Sequence, residues 1–164
     1  MRSRYVLFFT ISLIVLALDL ITKKLALENL INSPPVEIIP GFFNLVLVFN
    51  SGAAFGIFND PNSTWQIWLF LAVTLITVCI IIYLLKNMVK DRLSFLGLAL
   101  IMGGALGNLV DRVRYQAVVD FLDFYIGNWH WPAFNVADIG ICVGAGLVIM
   151  ALWAKPNIKK KKRA

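Results

Sequence analysis

The apolar residues of this chain fall into four long runs, not into the alternation of strands. Residues 65–85 and 93–110 hold no charge, residues 5–22 hold only Asp19, and residues 133–154 hold only Asp138. A helix rises about 1.5 Å per residue, so each run is long enough for the ~30 Å hydrocarbon core of a bilayer. The pattern predicts four transmembrane helices over those residues. Arg2 and Arg4 precede the first run as in a signal peptide, but no small-x-small cleavage site follows, so it reads as a retained span.

The connections differ in character. Residues 24–64 are long for a mere link. Val36 to Ile39 and Phe43 to Phe49 are rich in β-branched and aromatic residues and flank Pro40-Gly41. Asn50-Ser51-Gly52 is a turn signal, and Ala53 to Phe58 reads as a third strand. The predicted fold is a four-transmembrane-helix bundle with a small extracytoplasmic β-sheet and a covering loop or lid, one integral membrane domain over residues 1–164. Its extracytoplasmic segments are residues 24–64 and 111–132, and residues 155–164 form a basic cytoplasmic tail.

Composition agrees with a membrane protein. The chain is 60% hydrophobic and 15% charged, with mean hydropathy +0.81, against about 25% charged in ordinary soluble domains. Disorder and a disulfide-stapled scaffold are excluded. Cys79 and Cys142 sit inside apolar runs and are expected to be buried small hydrophobes. The net charge of +6 is not a nucleic-acid footprint, because its distribution follows the membrane. Eleven of the fifteen Lys and Arg residues lie in the N-terminus, the 86–92 loop and the C-terminal tail. By the positive-inside rule those segments are cytoplasmic, and both termini are inside. Among the nine acidic residues only Asp91 lies on that side. The tail reads as a topology and lipid-headgroup anchor, and the tryptophans near the outer ends, Trp65, Trp68, Trp129 and Trp131, read as an aromatic belt.

The polar residues of the spans converge in depth. Counting from the cytoplasmic ends puts Asp19, Asn108 and Asp138 roughly 20–25 Å up, below the outer interface, and ionisable groups there mark a functional site. Asp120 follows in Val118-Val119-Asp120-Phe121, an apolar stretch returning to the membrane. Two carboxyls brought together in an apolar setting do not both ionise. One then serves as base and the other as proton donor, enough to activate water against an amide. The alternative is that each aspartate caps a helix or pairs with an arginine. Lone His130 between two tryptophans reads as an interfacial side chain. No H-E-x-x-H exists for zinc. Ser51 with Lys23 suggests a Ser–Lys hydrolase only weakly, since Ser51 is in a turn. Asp19 and Lys23, four apart, are spaced to pair on one helix face. The small-xxx-small pairs Gly103/Gly107 and Gly140/Gly144 predict close packing of the third and fourth spans.

Five blocks, DLITK at 19–23, NSGAAFG at 50–56, GGALGNLVDR at 103–112, VVDFLDF at 118–124 and FNVAD at 134–138, resemble the lipoprotein signal peptidases, or signal peptidase II, of bacterial inner membranes. Leu20 stands where such proteins often have Gln. The resemblance implies a metal-free, cofactor-free aspartic peptidase that cuts prolipoproteins just before a diacylglyceryl-modified cysteine. It implies Asp120 and Asp138 as catalytic. Asn50, Gly52, Asn108, Arg112 and Asn135 are then substrate-binding or site-ordering, with Asp19 and Lys23 as structural support. The expected partners are the lipidated substrate and membrane lipids, with the chain a monomer. The rival reading is a small proton-coupled transporter with aspartate relays, although the acids lie toward one face and no internal repeat is present.

Overall fold

The computed structural model describes residues 2–52, 65–87 and 91–154. The expected third strand at residues 53–58 and the basic tail at residues 155–164 lie outside the described residues. Within them the order is α1 (Arg2–Leu30), β1 (Val36–Ile39), β2 (Phe43–Asn50), α2 (Trp65–Asn87), α3 (Arg92–Tyr115), β3 (Val118–Ile126), β4 (Trp129–His130) and α4 (Val136–Ala154). All four helices are long and apolar enough to cross a membrane.

Two helices run further than their uncharged stretches. α1 continues past Thr22 to Leu30 because Lys23 does not face solvent. It is buried and paired with Asp19, one turn before it. At 29 residues the helix is about 44 Å long, longer than the ~30 Å hydrocarbon core, and its last turns carry the exposed pair Lys24–Glu28. Asn32 at φ 58° ends it in the left-handed region, and Pro34-Pro35 blocks continuation. α3 starts at the Asp91 cap, whose carboxylate accepts the Ser94 N–H at 2.7 Å. It runs past Val110 to Tyr115, where Gln116 takes a left-handed cap. The extra turns hold Asp111 and Arg112 on the helix with Asn108. α4 starts later than expected, at Val136 rather than residue 133. Phe134 is held in extended backbone by bonds to Leu122.

α3 is the central helix, with α1, α2 and α4 all packed against it. Glycines permit this, and of the two expected pairs Gly140/Gly144 faces α3 as expected while Gly103/Gly107 does not face α4 first. A Cβ on Gly97 would overlap the Gly144 carbonyl, and one on Gly104 would overlap the Ala137 carbonyl, so these residues make the α3–α4 seam. Gly103 and Gly107 instead face α1, against Ser12 and Asp19. At the end of the bundle where α1 begins, Phe8, Ile81, Leu85, Phe95, Leu98 and Met102 form an apolar core.

β1–β2–β3–β4 form an antiparallel sheet in that order. Phe121 of β3 packs with Ala26 and Leu30 on the outer turns of α1, flanked by Leu45 and Leu47 of β2. The extension of α1 therefore supports the sheet. β3 was not legible as a strand in the alternation of its residues, since its first four are all buried. Cys79 and Cys142 are exposed on the helix surfaces, contrary to expectation. An apolar run in a membrane helix has two sides; Cys79 lies on the open surface of α2, and Cys142 borders a cavity beside α4.

Candidate active site

The N-terminus of α4 fixes the first aspartate. Asn135 precedes the helix, and its Oδ1 accepts the Asp138 N–H at 2.9 Å, while Asp138 Oδ2 accepts the Asn135 N–H at 3.3 Å. This is a capping box with Asp in place of Glu. It satisfies two N–H groups that the helix leaves over, and sets the carboxylate at the positive end of the helix dipole. The alternative reading of Asp138 as a cap is thus geometrically correct, and it does not compete with a site role. Asp19 caps the same helix from α1, its Oδ1 accepting the Ala137 N–H at 2.8 Å.

The second aspartate comes from β3. In the β2–β3 register Asp120 lies opposite Val48, two residues from the Asn50–Val118 pair. Asn50 Nδ2 donates to Asp120 Oδ2 at 3.1 Å. The Gly52 N–H donates to Asn50 Oδ1 at 3.0 Å, which fixes which end of that amide faces the carboxyl. Asn135 Nδ2 donates to Asp120 Oδ1 at 2.7 Å. One wholly buried asparagine therefore bonds both aspartates.

Both carboxyls line a cavity of about 510 Å³ bounded by Asn50, Gly52, Asn108 and Arg112, by residues 131–134, and by the apolar face of α4. The walls are mostly apolar, with the polar groups gathered at one end. Burial, and then the charge of Asp138, raise the pKa of Asp120 from the ordinary carboxylate range to about 7, against the lowering effect of the Asn50 and Asn135 bonds. Arg112 lies over the Phe70 ring of α2, 4.8 Å from its centroid, and lines the same cavity. Asn108 Nδ2 donates to Asp138 Oδ1 at 2.8 Å. The arrangement offers one carboxyl that holds its proton near neutrality, a second at a helix N-terminus and a guanidinium beside them. Those are the parts needed for acid–base attack of water on an amide.

Asn50, Gly52, Asn108, Arg112, Asp120 and Asp138 thus meet on one wall, with Asn135 behind them. Asp19 and Lys23 do not reach the cavity lining. They form a buried ion pair at 2.8 Å behind Asn108. Sequence reading gave Asp111 no role, yet it is buried, lies 2.8 Å from Lys23 and accepts the Val119 N–H at 3.1 Å. Its signal was its i,i+3 spacing from Asn108. Trp131, which the sequence places only among the interfacial tryptophans, also lines the cavity. The connection that carries it is pinned by His130, whose Nδ1 lies 2.9 Å from Asp123 and whose ring stacks on Tyr125. Among the described residues no cluster of metal-ligating side chains is present.

Residues 11–154 match the family model for signal peptidase (SPase) II. The chain is 49% identical over 156 residues to the lipoprotein signal peptidase of Oleidesulfovibrio alaskensis, covering 93% of this chain and 98% of that one. It is 50% identical over 139 residues to that of Burkholderia thailandensis, covering 85% and 82%. A solved structure described as a bacterial membrane enzyme at 2.3 Å resolution superposes with a TM-score of 0.78 at 30% identity, covering 96% of this chain and 93% of that chain. A second such structure, at 1.9 Å resolution, gives 0.77 at 31% identity, covering 90% and 93%. Family match, relatives and fold agree over nearly the whole chain, and it belongs to the signal peptidase II family.

Proposed function

We propose that the chain is a membrane aspartic endopeptidase that removes the signal peptide from prolipoproteins, cutting just before a diacylglyceryl-modified cysteine. The observation that carries the aspartic mechanism is Asn135, bonded to Asp120 at 2.7 Å through its side chain and to Asp138 at 2.9 Å and 3.3 Å through the capping box. Asp138 takes a proton from water as the water oxygen attacks the scissile carbonyl carbon. Asp120, holding its proton up to about pH 7, delivers it to the carbonyl oxygen. The resulting diol collapses as Asp138 passes its proton to the amine nitrogen and Asp120 recovers one from a diol hydroxyl, breaking the C–N bond. Arg112 balances the charge of the pair and holds substrate carbonyls, while Asn50, Gly52 and Asn108 order the site.

A largely apolar cavity at the outer end of the spans suits a substrate whose acyl chains remain in the bilayer while water enters from above. The cut is made on the extracytoplasmic side of the bacterial inner membrane, with both termini cytoplasmic, a reading supported by the Lys and Arg distribution. One chain supplies every residue of the site, so a monomer suffices. Family membership gives no support to the transporter alternative.

Purified protein in detergent is to be given a prolipoprotein peptide with and without diacylglycerol on its cysteine. A single cut before the lipidated cysteine, insensitive to EDTA, is expected. Equal cutting of both peptides would remove the lipid requirement, and loss with EDTA restored by zinc would remove the aspartic mechanism.

A further inference from the structure

Lys23 is buried, does not line the cavity, and is not used by the chemistry above. Its Nζ lies 2.8 Å from Asp19 Oδ2 and 2.8 Å from Asp111 Oδ2, and it donates to Asn108 Oδ1 at 2.9 Å. The ammonium thus has two ion-pair contacts and one hydrogen bond, all inside the protein. Each partner then leads to the reacting pair. Asp19 accepts the N–H of Ala137, one residue before Asp138. Asp111 accepts the N–H of Val119, one residue before Asp120. Asn108 donates from Nδ2 to Asp138 at 2.8 Å, and its Oδ1 receives Asn135 Nδ2 at 3.3 Å.

The chemistry of the contact with Asn108 matters most. An ammonium group has donors and no acceptor. The amide can therefore meet Lys23 only with its oxygen, which leaves the NH2 end facing Asp138. A neutral apolar residue at position 23 would let the amide turn and point its oxygen at a carboxylate. Resting on Asp120 and Asp138 as the reacting pair, the geometry points to Lys23 as a positioning residue for catalysis: one buried ammonium ion orients Asn108 toward Asp138 and ties down the backbone beside both aspartates. A merely structural lysine would change yield and melting temperature but not turnover per folded molecule.

Lys23→Met alone leaves two buried carboxylates facing each other and is expected to lower yield. The informative variant is therefore the charge-balanced Lys23→Met/Asp19→Asn/Asp111→Asn. Its new amide oxygens still accept from Ala137 and Val119, so what is lost is the ammonium ion, with its grip on Asn108 and its ion pairs to positions 19 and 111. Monodisperse protein is assayed with the diacylglyceryl-modified prolipoprotein peptide, for kcat and KM separately. Lys23 as a positioning residue gives a fall in kcat of about 10²-fold, the cost of slight misplacement of reacting groups, with KM near the parent's. Asn108→Ala alone should lower kcat, and adding it to the triple variant should lower kcat little further, because Lys23 acts through that amide. Parental kcat in the triple variant, multiplying losses, or failure of both variants to give monodisperse protein overturns the inference. Asp120→Asn in the same assay separates the two readings. If it abolishes turnover while the triple variant keeps it, only the role of Lys23 falls; if it retains turnover, the reacting pair itself is misassigned.

Discussion

α2 and α3 are nearly equal in length, 23 and 24 residues, and either could cross a membrane. They are otherwise opposites. α2 is the more apolar, yet only 11% of its most apolar stretch is buried inside the protein, against 61% for α3. Gln66, Thr74, Ile81 and Leu85 are its only buried residues, whereas α3 buries twelve, Asn108 and Asp111 among them. In water the more apolar helix would be the inner one. In a bilayer lipid is as apolar as leucine, so hydrophobicity drives no helix inward, and what gathers helices is close packing and polar bonding. α3 has glycines for the first and Asn108, Asp111 and Arg112 for the second. Lower hydropathy in a spanning helix is thus the mark of the helix that holds the site.

The largest expected effect breaks this contrast at its packing. Gly104→Leu puts a side chain where the Ala137 carbonyl and Ile141 already stand. Backbone cannot yield as a side chain can, and the cost should exceed the ~3 kcal/mol upper range of ordinary overpacking. Little monodisperse protein should be recovered. Parental yield and melting temperature would mean that α3 and α4 are not in backbone contact.

Asn135→Ala tests the polar half. It removes the cap of α4, worth about 1 kcal/mol, and the donor to Asp120. The folded protein should keep its yield and lose about 10²-fold in kcat through misplacement of the pair. A kcat close to the parent's would show that the bridge between the aspartates is dispensable.

A smaller effect concerns pH. The folded pKa of Asp120 is raised to about 7, against about 3.9 for an unfolded aspartate. Between these values the folded state keeps a proton that the unfolded chain has released, so stability falls as the pH rises from about 4 to about 7 and then levels off. Asp120→Asn removes that loss. Its melting temperature should exceed the parent's at pH 8, and the two should converge near pH 4. A variant less stable than its parent at pH 8 would contradict a proton-holding Asp120.

The smallest effect lies on α2. Ile76 is exposed on the helix surface, and Ile76→Val should change melting temperature and turnover hardly at all, within about 0.5 kcal/mol. A marked loss would place an unrecognised contact on the outer face of α2.

The four spans were legible because a bilayer demands uninterrupted apolar length, and β1 and β2 because their β-branched residues flank a turn. Helix ends were less so. A charge was read as the end of a span, yet Lys23 continues α1 because Asp19 and Asp111 neutralise it inside the protein. The shared depth of Asp19, Asn108 and Asp138 was legible from counting residues, whereas the linkage of Asp111 to Val119 and the clasp of His130 on Asp123 require the sheet to fold back. Such contacts join residues whose sequence neighbours give no sign of one another. Trp131 was legible only as an aromatic near the interface, since belt and cavity wall ask for the same residue type.

The central claim is that Asp120 and Asp138 act as one acid–base unit. Asp120→Asn, Asp138→Asn and the double variant should be compared for turnover of a lipidated prolipoprotein peptide and for binding of the same peptide. The amide preserves size and most hydrogen bonds, so each protein should stay folded and bind. Loss of general acid–base action predicts a fall in turnover of at least about 10²-fold in each single variant, and hardly more in the double, because the carboxyls work as a pair. Either single variant retaining more than about a tenth of parental turnover, far short of that factor, would contradict the account.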